Sequence, residues 1–484
     1  MTAPAPQWLR LSPRMLLVHP VHEVLRQIPV LIGSVVLGSA TGNPLWAVAA
    51  LVATVGVGIA RWFTTTYRID AEEVQLRAGV LQRRVLSVPR NRIRSVSTDA
   101  RLLHRLLGLT VLRVSTGQQA RGDDAFALDA VEAGQVPRLR AELLAGSLTV
   151  AADSGPAGRV LARWEPAWLR YSPLSFTGLA MIVAAVGLLY QAGAGVLVRD
   201  SRLAEGGRDA AQRFGVAATV TAVVIVVLVG SVVLSVLRSL LTYGNLLLRR
   251  DADALHLEYG LLRRQEHTYD MRRLRGGTLR EPLLVRAFGG ARLDAVMTGV
   301  SGAGEASLLL PPCPAVTARE VLGDLIARPE EVSGPLRGHG AAAARRRWTR
   351  GLAAPALVAV GLAVVSVWAP PPIWLWLLWA GLTAACALLA ADRVRSLGHR
   401  VGNGWLVARA GSIERRRDCI AGAGVIGWTV RQSFFQRRSG VATLIAATAA
   451  GEKAYRVLDV PADLAWSVAA AASPWVRDVP WVRD

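Results

Sequence analysis

The 484-residue chain has 56 basic and 35 acidic residues, a formal net charge of +21 and a mean hydropathy of +0.34. These values exclude an ordinary soluble protein, because the apolar residues are gathered in blocks with the charges between them. The positive charge favours an anionic membrane surface or the topology bias of a membrane protein over nucleic acid. Cys313, Cys386 and Cys419 are too few and too scattered for a disulfide framework or a zinc site.

Two apolar runs, residues 28–40 and 45–60, follow the N-terminal arm and are separated by the turn Gly42-Asn43-Pro44. Each run is short against the ~20 residues that cross a bilayer. Arginine side chains at the ends extend such a run by reaching toward the head groups. We therefore expect a first transmembrane hairpin here.

Two further pairs of apolar runs follow, at residues 174–197 with 216–237 and at residues 352–368 with 373–391. The second pair has more than 18 uncharged residues in each run, which predicts transmembrane helices. The third pair turns at Pro370-Pro371-Pro372, since proline disfavours a continuing helix. The chain thus predicts six membrane spans.

Six spans place the N-terminus and the three regions between hairpins on one side of the membrane. Arginines are concentrated near the span ends on that side, as at Arg249-Arg250 and Arg345 to Arg347. By the positive-inside rule, we expect these regions to be cytoplasmic in a multi-pass membrane protein.

The region after each apolar pair is one sequence unit used three times. The same pair of glycines, 29 residues apart, recurs without gaps: Gly79 and Gly108, Gly260 and Gly289, and Gly411 and Gly440. We call the units copies one, two and three; copies two and three are offset from copy one by 181 and 332 residues. Repetition of this kind decides the domain count before any propensity argument.

Each copy alternates apolar and polar residues in short segments, which predicts half-buried strands. We predict hairpin turns at residues 70–72, 251–253 and 402–404, and closing helices at residues 136–144, 316–327 and 462–472. The soluble unit is therefore expected to be a small, mainly-β barrel or bent sandwich with one C-terminal helix.

These patterns give the following expected organisation. It consists of a cytoplasmic arm (1–27), hairpin 1 (28–62), domain 1 (63–147), a linker (148–173), hairpin 2 (174–241) with an external loop (198–215), domain 2 (242–330), a basic linker (331–351), hairpin 3 (352–391), domain 3 (392–473) and a tail (474–484).

The segment from Tyr67 to Gly117 carries Y-R-I-D, V-x-L-R-x-G-V-L-x-R-R, V-P-R-N-R-I-R-S-V and L-L-x-R-L-L-G-L. With its preceding apolar hairpin it resembles the bacterial pleckstrin-homology-like domain, type 2, of YdbS- and YdbT-like membrane proteins. Copy two replaces the central P-R-N-R-I-R, and copy three has Ala421 to Ile426 there. The resemblance implies a helix-capped, two-sheet PH-like barrel at the inner leaflet, and it implies no enzyme activity and no cofactor.

The candidate binding residues are arginines of copies one and two. They are Arg83, Arg84, Arg90, Arg92 and Arg94, with Arg263, Arg264, Arg272, Arg273 and Arg275. Guanidinium groups bind phosphate through two parallel hydrogen bonds, and each basic residue near an anionic leaflet contributes on the order of 1 kcal/mol. Three explanations stay open: specific recognition of a lipid head group or partner, general attraction to the leaflet, and a solvated strand face.

Other motifs carry little chemistry. Gly422 to Gly427 spells G-x-G-x-x-G but lacks the strand and helix that a dinucleotide site requires. No catalytic residues, metal ligands or nucleic-acid partner are expected.

The first functional hypothesis is a non-catalytic docking or assembly platform in envelope stress or membrane homeostasis. It would bind anionic lipids, further copies of itself or other membrane proteins. The alternative is a lipid-handling or transport-associated membrane component.

Overall fold

The computed structural model describes most of the chain. Described residues are 8–10, 12–15, 63–70, 72–79, 83–90, 93, 95–115, 126–144, 158–175, 215–299 and 307–478, with positions 52, 56, 59, 60, 180–184, 187, 212 and 213. The predicted first hairpin, the run at residues 174–197 and its loop at 198–215 lie almost wholly outside these residues.

Copy one consists of two antiparallel sheets and two helices in the described residues. Its elements are β1 (Leu9–Arg10), β2 (Thr66–Ile69), β3 (Glu73–Ala78), β4 (Arg84–Pro89), β5 (Ser95–Ala100), α1 (Leu102–Leu106), β6 (Leu109–Ser115), β7 (Ala127–Glu132) and α2 (Val136–Leu144).

Copy two repeats this order after a long apolar helix. Its elements are β8 (Arg159–Arg163), α3 (Val216–Tyr243), β9 (Leu247–Asp251), β10 (Ala254–Tyr259), β11 (Arg264–Asp270), β12 (Leu274–Pro282), α4 (Leu283–Ala287), β13 (Gly290–Met297), β14 (Leu308–Pro314) and α5 (Ala315–Ile326).

Copy three follows a short helix and a helical hairpin. Its elements are α6 (Pro329–Ser333), α7 (Gly340–Val365), α8 (Ile373–Ser396), β15 (Gly398–Gly402), β16 (Trp405–Ala410), β17 (Glu414–Ala421), β18 (Val425–Arg431), α9 (Phe434–Arg438), β19 (Val441–Thr448), β20 (Ala454–Pro461) and α10 (Ala465–Ala472).

The three predicted hairpin turns are confirmed between β2 and β3, β9 and β10, and β15 and β16. The predicted closing helices correspond to α2, α5 and α10, the last preceded by a 3-10 turn. Alternation is clearest in β10, where Leu255, Leu257 and Tyr259 are buried and their neighbours are half-exposed. The short helices α1, α4 and α9 were not predicted.

The described backbone repeats in the same gapless register as the sequence. A β-bulge recurs at Thr110/Leu112, Ala291/Leu293 and Ala442/Leu444. Gly79, Gly260 and Gly411 all have a positive φ, of 128°, 103° and 105°. Only glycine adopts this conformation without strain, which explains why it recurs before β4, β11 and β17.

Three described helices are long and apolar enough to cross a membrane: α3, α7 and α8. This confirms that residues 216–237 and 373–391 form apolar helices, as do residues 352–365 of the predicted run 352–368, since α7 ends at Val365. Helix α7 begins at Gly340, ahead of the predicted span, because the alanines and arginines there favour a helix. Trp379 Nε1 donates to the carbonyl of Pro355 at 2.9 Å, joining α8 to α7.

The chain divides into two compact units. One comprises Met1–Trp164 with Leu241–Arg273, and the other comprises Glu165–Leu240 with Leu274–Asp484. Strands β9 to β11 of copy two therefore belong to the first unit, and β12 to β14 belong to the second.

Each unit has a core formed by sheets and a closing helix. In the first, Val74 and Leu76 of β3 share a cluster with Leu112 of β6 and Leu143 of α2. In the second, β16 and β17 share a cluster with β18, β19 and α10, including Ile420, Leu444 and Ala469. Burial of about 2 kcal/mol per large apolar side chain holds these layers together.

Neighbouring copies share sheets. One sheet has the order β7-β6-β5-β11-β10-β9-β8, and another has the order β14-β13-β12-β17-β16-β15. We call the β5–β11 pairing junction one and the β12–β17 pairing junction two. The described strands are therefore open sheets that continue from one copy into the next, and closed barrels were not found among them.

The two junctions have the same register. Ser95 lies opposite Tyr269 in junction one, and the equivalent residues Gly276 and Ile420 lie opposite each other in junction two. Because a slip of one residue would turn every side chain to the other face, identical registers show that the same contact has been used twice.

A triad of charged residues crosses each junction with opposite polarity. In junction one, Asp99 lies between Arg113, at 3.6 Å, and Arg263, whose Nε is 2.7 Å from Oδ1. In junction two, the equivalent positions hold Arg280 between Asp294, at 2.7 Å, and Glu414, at 2.9 Å. We call these sets the junction triads.

Asp99 is buried, at 5% exposure. Burial opposes its ionisation, but hydrogen bonds and charge from Arg263, with the charge of Arg113, outweigh that cost and lower its pKa. The negative charge of Asp99 is therefore an integral part of junction one.

Replacing Asp99 by Arg should destabilise the chain by about 3 kcal/mol, because three guanidinium groups would then meet at a buried position. The triple variant Arg113→Asp, Asp99→Arg and Arg263→Glu should recover most of that loss, since it reproduces the polarity of junction two. Thermal unfolding of the detergent-solubilised full chain measures both changes.

The exposed pair Arg264–Glu258 provides a control. The Glu258→Gln variant should lower the free energy of unfolding by less than about 1 kcal/mol, as is usual for exposed ion pairs. A triple variant no more stable than Asp99→Arg alone would contradict the proposed equivalence of the triads.

A buried histidine pair attaches the start of α7 to copy three. His339 Nε2 lies 2.8 Å from His399 Nδ1, and His339 Nδ1 lies 2.8 Å from the carbonyl of Leu458. Burial lowers the pKa of His399 to about 4, and the nearby His339 and Arg337 add to this effect. Burial also lowers the pKa of His339, against the opposing effect of the Leu458 carbonyl. Arg347 lowers that pKa further, whereas Asp459 raises it.

Stability should fall as the pH drops from about 6.5 toward 4, by on the order of 1 kcal/mol or more, because the unfolded chain takes up protons that the folded pair resists. Above about pH 6.5 both states have neutral histidines, so this contribution is fully present. Unfolding temperatures of the full chain between pH 4 and 8 test this. His399→Gln should flatten the slope, and a slope as steep as that of the unsubstituted chain would contradict this prediction.

Candidate anion-binding site

The arginines of copy one stand at the start of an end strand. Arg83 precedes β4 and Arg84 begins it, and both side chains are exposed. The positive φ of Gly79 ends β3, so the chain turns back just before the two arginines. Two guanidinium groups on adjacent exposed positions suit phosphate or carboxylate oxygens.

Arg90 lies just after the other end of β4 and donates hydrogen bonds to the β2–β3 turn. Its Nη1 donates to the carbonyl of Asp70 at 3.3 Å, and its backbone amide donates to the carbonyl of Glu72 at 2.9 Å. It is half-buried, so it supports the β2–β3 turn. Arg92 and Arg94 lie outside the described residues.

The arginines of copy two mostly face carboxylates. Arg263 binds Asp99 with two nitrogens, one at 2.7 Å. Arg264 lies 2.8 Å from Glu258 and 3.6 Å from Glu266. These contacts neutralise the guanidinium groups locally, which weakens their attraction for a further anion.

Asp270 is another carboxylate that faces arginines of copy two, and it lies at the end of β11. Arg272 Nε lies 3.3 Å and Arg273 Nε lies 3.4 Å from its carboxylate oxygens. The Arg272 amide also donates to Oδ1 at 2.9 Å. One buried carboxylate thus holds two arginines in a turn.

Arg275 belongs to the second compact unit. A Cβ added to Gly424 would lie 2.7 Å from its Cδ, so its stem packs against the turn before β18. The predicted arginines accordingly have different roles. Arg83 and Arg84 form an exposed pair, and the described arginines of copy two take part mainly in structural contacts.

Sequence reasoning missed the carboxylates that face these arginines and the aromatic ring beside them. The guanidinium of Arg77 lies 3.7 Å from the centre of the Trp8 ring, a cation–π contact that joins β3 to the N-terminal arm. The charge inversion between Asp99 and Arg280 at equivalent positions was a usable signal. Aligning the copies by charge as well as by glycine would have found it.

The glycine-rich motif gives no nucleotide site. Residues Gly422–Gly424 form a 3-10 turn that leads into β18, with no helix opening there. Among the described residues, no group of three or more potential ligands could hold a metal ion.

A cleft of about 600 Å³ lies in copy three, lined by residues of β15 and α10. His399 and Arg400 contribute polar atoms, and Val401 and Val468 contribute apolar surface. None of the predicted arginines lines it.

The Bacterial PH domain family matches this chain three times, at residues 25–147, 179–322 and 353–470. Each match contains one sequence copy and most of the apolar segment before it. No curated protein and no solved structure matches the chain. The family matches cover most of the sequence, and their three segments follow the three copies seen in the described strands. The chain therefore belongs to the Bacterial PH domain family and contains three repeats of that domain.

Proposed function

We propose that the protein is a non-catalytic platform, in which three PH-like domains are held at the cytoplasmic surface of the bacterial inner membrane. The observation that carries this function is the attachment of copy three to its own apolar hairpin. Charged and polar contacts fix both helices of that hairpin to the domain. Copy three is therefore connected to its hairpin by specific contacts and not by a flexible tether.

Asp459 fixes the beginning of α7. Its carboxylate lies 3.2 Å from Arg346 Nε and 2.9 Å from Arg347 Nη2, and it accepts a hydrogen bond from Gln436 at 2.8 Å. Arg346 is buried at 6% exposure. Arginines that indicate topology in the sequence therefore also hold the domain against its span.

Asp392 and Ser396 fix the end of α8. Asp392 lies 2.8 Å from Arg286 and 2.7 Å from Arg415, so it joins the helix to copies two and three. The Ser396 hydroxyl donates to the carbonyl of Gly411 at 2.5 Å. With both ends of the hairpin attached, the domain surface should lie near the head groups.

The PH-like form of each copy is also part of this proposal. The core of copy one includes both of its sheets and α2, as expected for a two-sheet unit capped by a helix. Six spans with basic ends would place all three such units on the cytoplasmic side. This arrangement presents three related surfaces along one membrane face.

Arg83 and Arg84 are the best-placed residues for anionic lipid on these surfaces. Both are exposed, and each would contribute on the order of 1 kcal/mol beside an anionic leaflet. Because Arg83 and Arg84 are both exposed, copy one should contribute most of the attraction for an anionic lipid. A partner protein with an acidic surface would bind the same two guanidinium groups.

Lipid handling is the second candidate, and the cleft beside β15 is the feature that supports it. Its mixture of Arg400, His399 and apolar side chains suits a head group with part of an acyl chain. Under this function, filling the cleft through Val468→Trp should abolish lipid binding.

Short-chain, water-soluble phosphatidylglycerol should bind the purified full chain several-fold more tightly than short-chain phosphatidylcholine. The double variant Arg83→Gln and Arg84→Gln should remove most of that difference, because it deletes the exposed pair. Binding is measured by a change in thermophoretic mobility of the labelled protein.

Arg437→Gln with Arg438→Gln is the matched control, since it removes two adjacent exposed charges from copy three. It should retain the preference for the anionic lipid. Equal loss in both double variants would show a general charge effect and would refute a role for the copy-one pair.

A further inference from the structure

We propose that a second copy of this chain pairs its β4 strand with β18, in the register of junctions one and two. The inference deepens the platform function by naming one partner of the platform, and it rests on that function only for the membrane location. Its basis is that copy two, the interior copy, pairs through both β11 and β12, whereas the equivalent strands β4 of copy one and β18 of copy three each end a sheet.

The first observation is the sheet order. β4 ends the sheet β1-β2-β3-β4, and β18 ends the sheet β18-β19-β20. In the repeat alignment, β4 is equivalent to β11 and β17, while β18 is equivalent to β5 and β12. Among the described strands, the chain thus has two junctions and one further pair of edges of the same kind.

The second observation is that the other first-sheet edges are covered. β1 pairs with β2, β8 pairs with β9, and Arg337 forms a bridge with His399 of β15. Leu9, Ala162 and Arg337 meet equivalent positions, namely Tyr67, Leu248 and His399. Edge strands invite pairing with another chain. Because this cover recurs in all three copies, β4 is left as the first-sheet edge that is unpaired among the described strands.

The register follows from the two junctions. Extending it places Gly427 opposite Val88 and Val430 opposite Val85, with Arg431 opposite Arg84. Val85 is 57% exposed and Val430 is half-buried at the core edge. The corresponding pairs in the interior junctions are Thr98 with Glu266 and Leu279 with Arg417. The external junction would thus contain an apolar pair, which favours its formation in water.

The third observation concerns the short helix after each second-sheet edge strand. In copy one, Arg105 of α1 donates to the carbonyl of Leu261 in copy two at 2.6 Å. In copy two, the amide of Leu283 in α4 donates to the carbonyl of Ile413 in copy three at 2.7 Å. Both helices therefore contact the next copy.

In copy three the same helix, α9, carries two large exposed aromatic side chains. Phe434 is 72% exposed and Phe435 is 68% exposed, and they follow closely on the end of β18 at Arg431. Exposed neighbouring aromatics of this size are typical of interaction surfaces. Because α1 and α4 both contact a following copy, a protein partner is favoured over insertion of the phenylalanines into lipid.

The external junction lacks the charge triad of the interior ones. Arg431 is equivalent to Asp99 and Arg280, but it would lie opposite Arg84, and like charges across strands repel. In junction two the facing Arg280 and Arg416 are bridged by Glu452, at 2.6 and 2.8 Å. The association between chains should therefore be weaker than the interior junctions and reversible.

The contact is heterologous, since β4 of one chain meets β18 of another. Repetition of such a contact gives a ring when the rotation closes and a linear array when it does not. In a membrane protein, either assembly extends in the membrane plane.

The test uses two single-cysteine additions on differently tagged full-length chains. Val85→Cys on one chain and Val430→Cys on the other should cross-link under mild oxidation in native membranes. The yield should be several-fold above that of Val160→Cys with Val430→Cys, because Val160 is also an exposed strand valine but lies on β8. Cross-linked product no greater than in this control would overturn the proposal.

Two further outcomes would also overturn it. Equal cross-linking by Val85→Cys alone would show a symmetric contact of β4 with β4. An internal cross-link in the doubly substituted chain, with none between the two tagged chains, would show that the edges close within one molecule.

Two variants probe the chemistry of the contact. Arg431→Glu should increase the cross-linked fraction several-fold, because a carboxylate would replace the charge facing Arg84. Phe434→Ser with Phe435→Ser should lower the cross-linked fraction several-fold.

A lower cross-linked fraction with Arg431→Glu would refute the register. An unchanged fraction with the double phenylalanine variant would show that α9 is not part of the contact and would leave lipid as the partner of α9. The Arg83→Gln and Arg84→Gln variant separates this inference from the platform function. It should lose the lipid preference but keep or increase the cross-linked fraction, because it removes the charge facing Arg431.

Discussion

Pairing between strands of neighbouring copies is the interaction on which the described architecture depends. A PH-like unit has two small sheets, and each small sheet alone offers few hydrogen bonds and only one apolar face. By joining the second sheet of one copy to the first sheet of the next, the chain forms six- and seven-stranded sheets. Within each compact unit, strands of two neighbouring copies therefore belong to one sheet.

The long apolar helices add a second constraint. Asp459 forms ion pairs with α7, and Asp392 of α8 forms ion pairs with the domain. The hairpin of copy three is therefore attached to the domain by buried or half-buried charged groups. Such groups are costly to bury unless paired, and pairing makes their geometry specific. The arginines near the ends of these helices, which give the sequence its positive-inside pattern, therefore also orient the domain against the hairpin.

Much of the fold could be predicted from sequence because its signals are local. The Asp251-Ala252-Asp253 turn and the closing helix at Val136 to Leu144 follow from residue type and periodicity. The five-residue helix at Leu283 was missed, since one and a half turns give no periodic pattern. Junction one was missed because Asp99 and Arg263 are 164 residues apart. For the same reason, the sequence could not show that Arg263 lies against Asp99 and that the side chain of Arg84 is exposed.

The inverted junction triads also have a consequence for how the copies find their places. If β5 of copy one met β17 of copy three, Asp99 would face Glu414; if β12 met β11 of its own copy, Arg280 would face Arg263. Both errors bring like charges together at a position that is buried in the correct pairing, where repulsion is strong. Three similar repeats in one chain are prone to such exchange while folding. Opposite polarity at successive junctions thus disfavours both wrong pairings and favours the pairing of each strand with its correct neighbour.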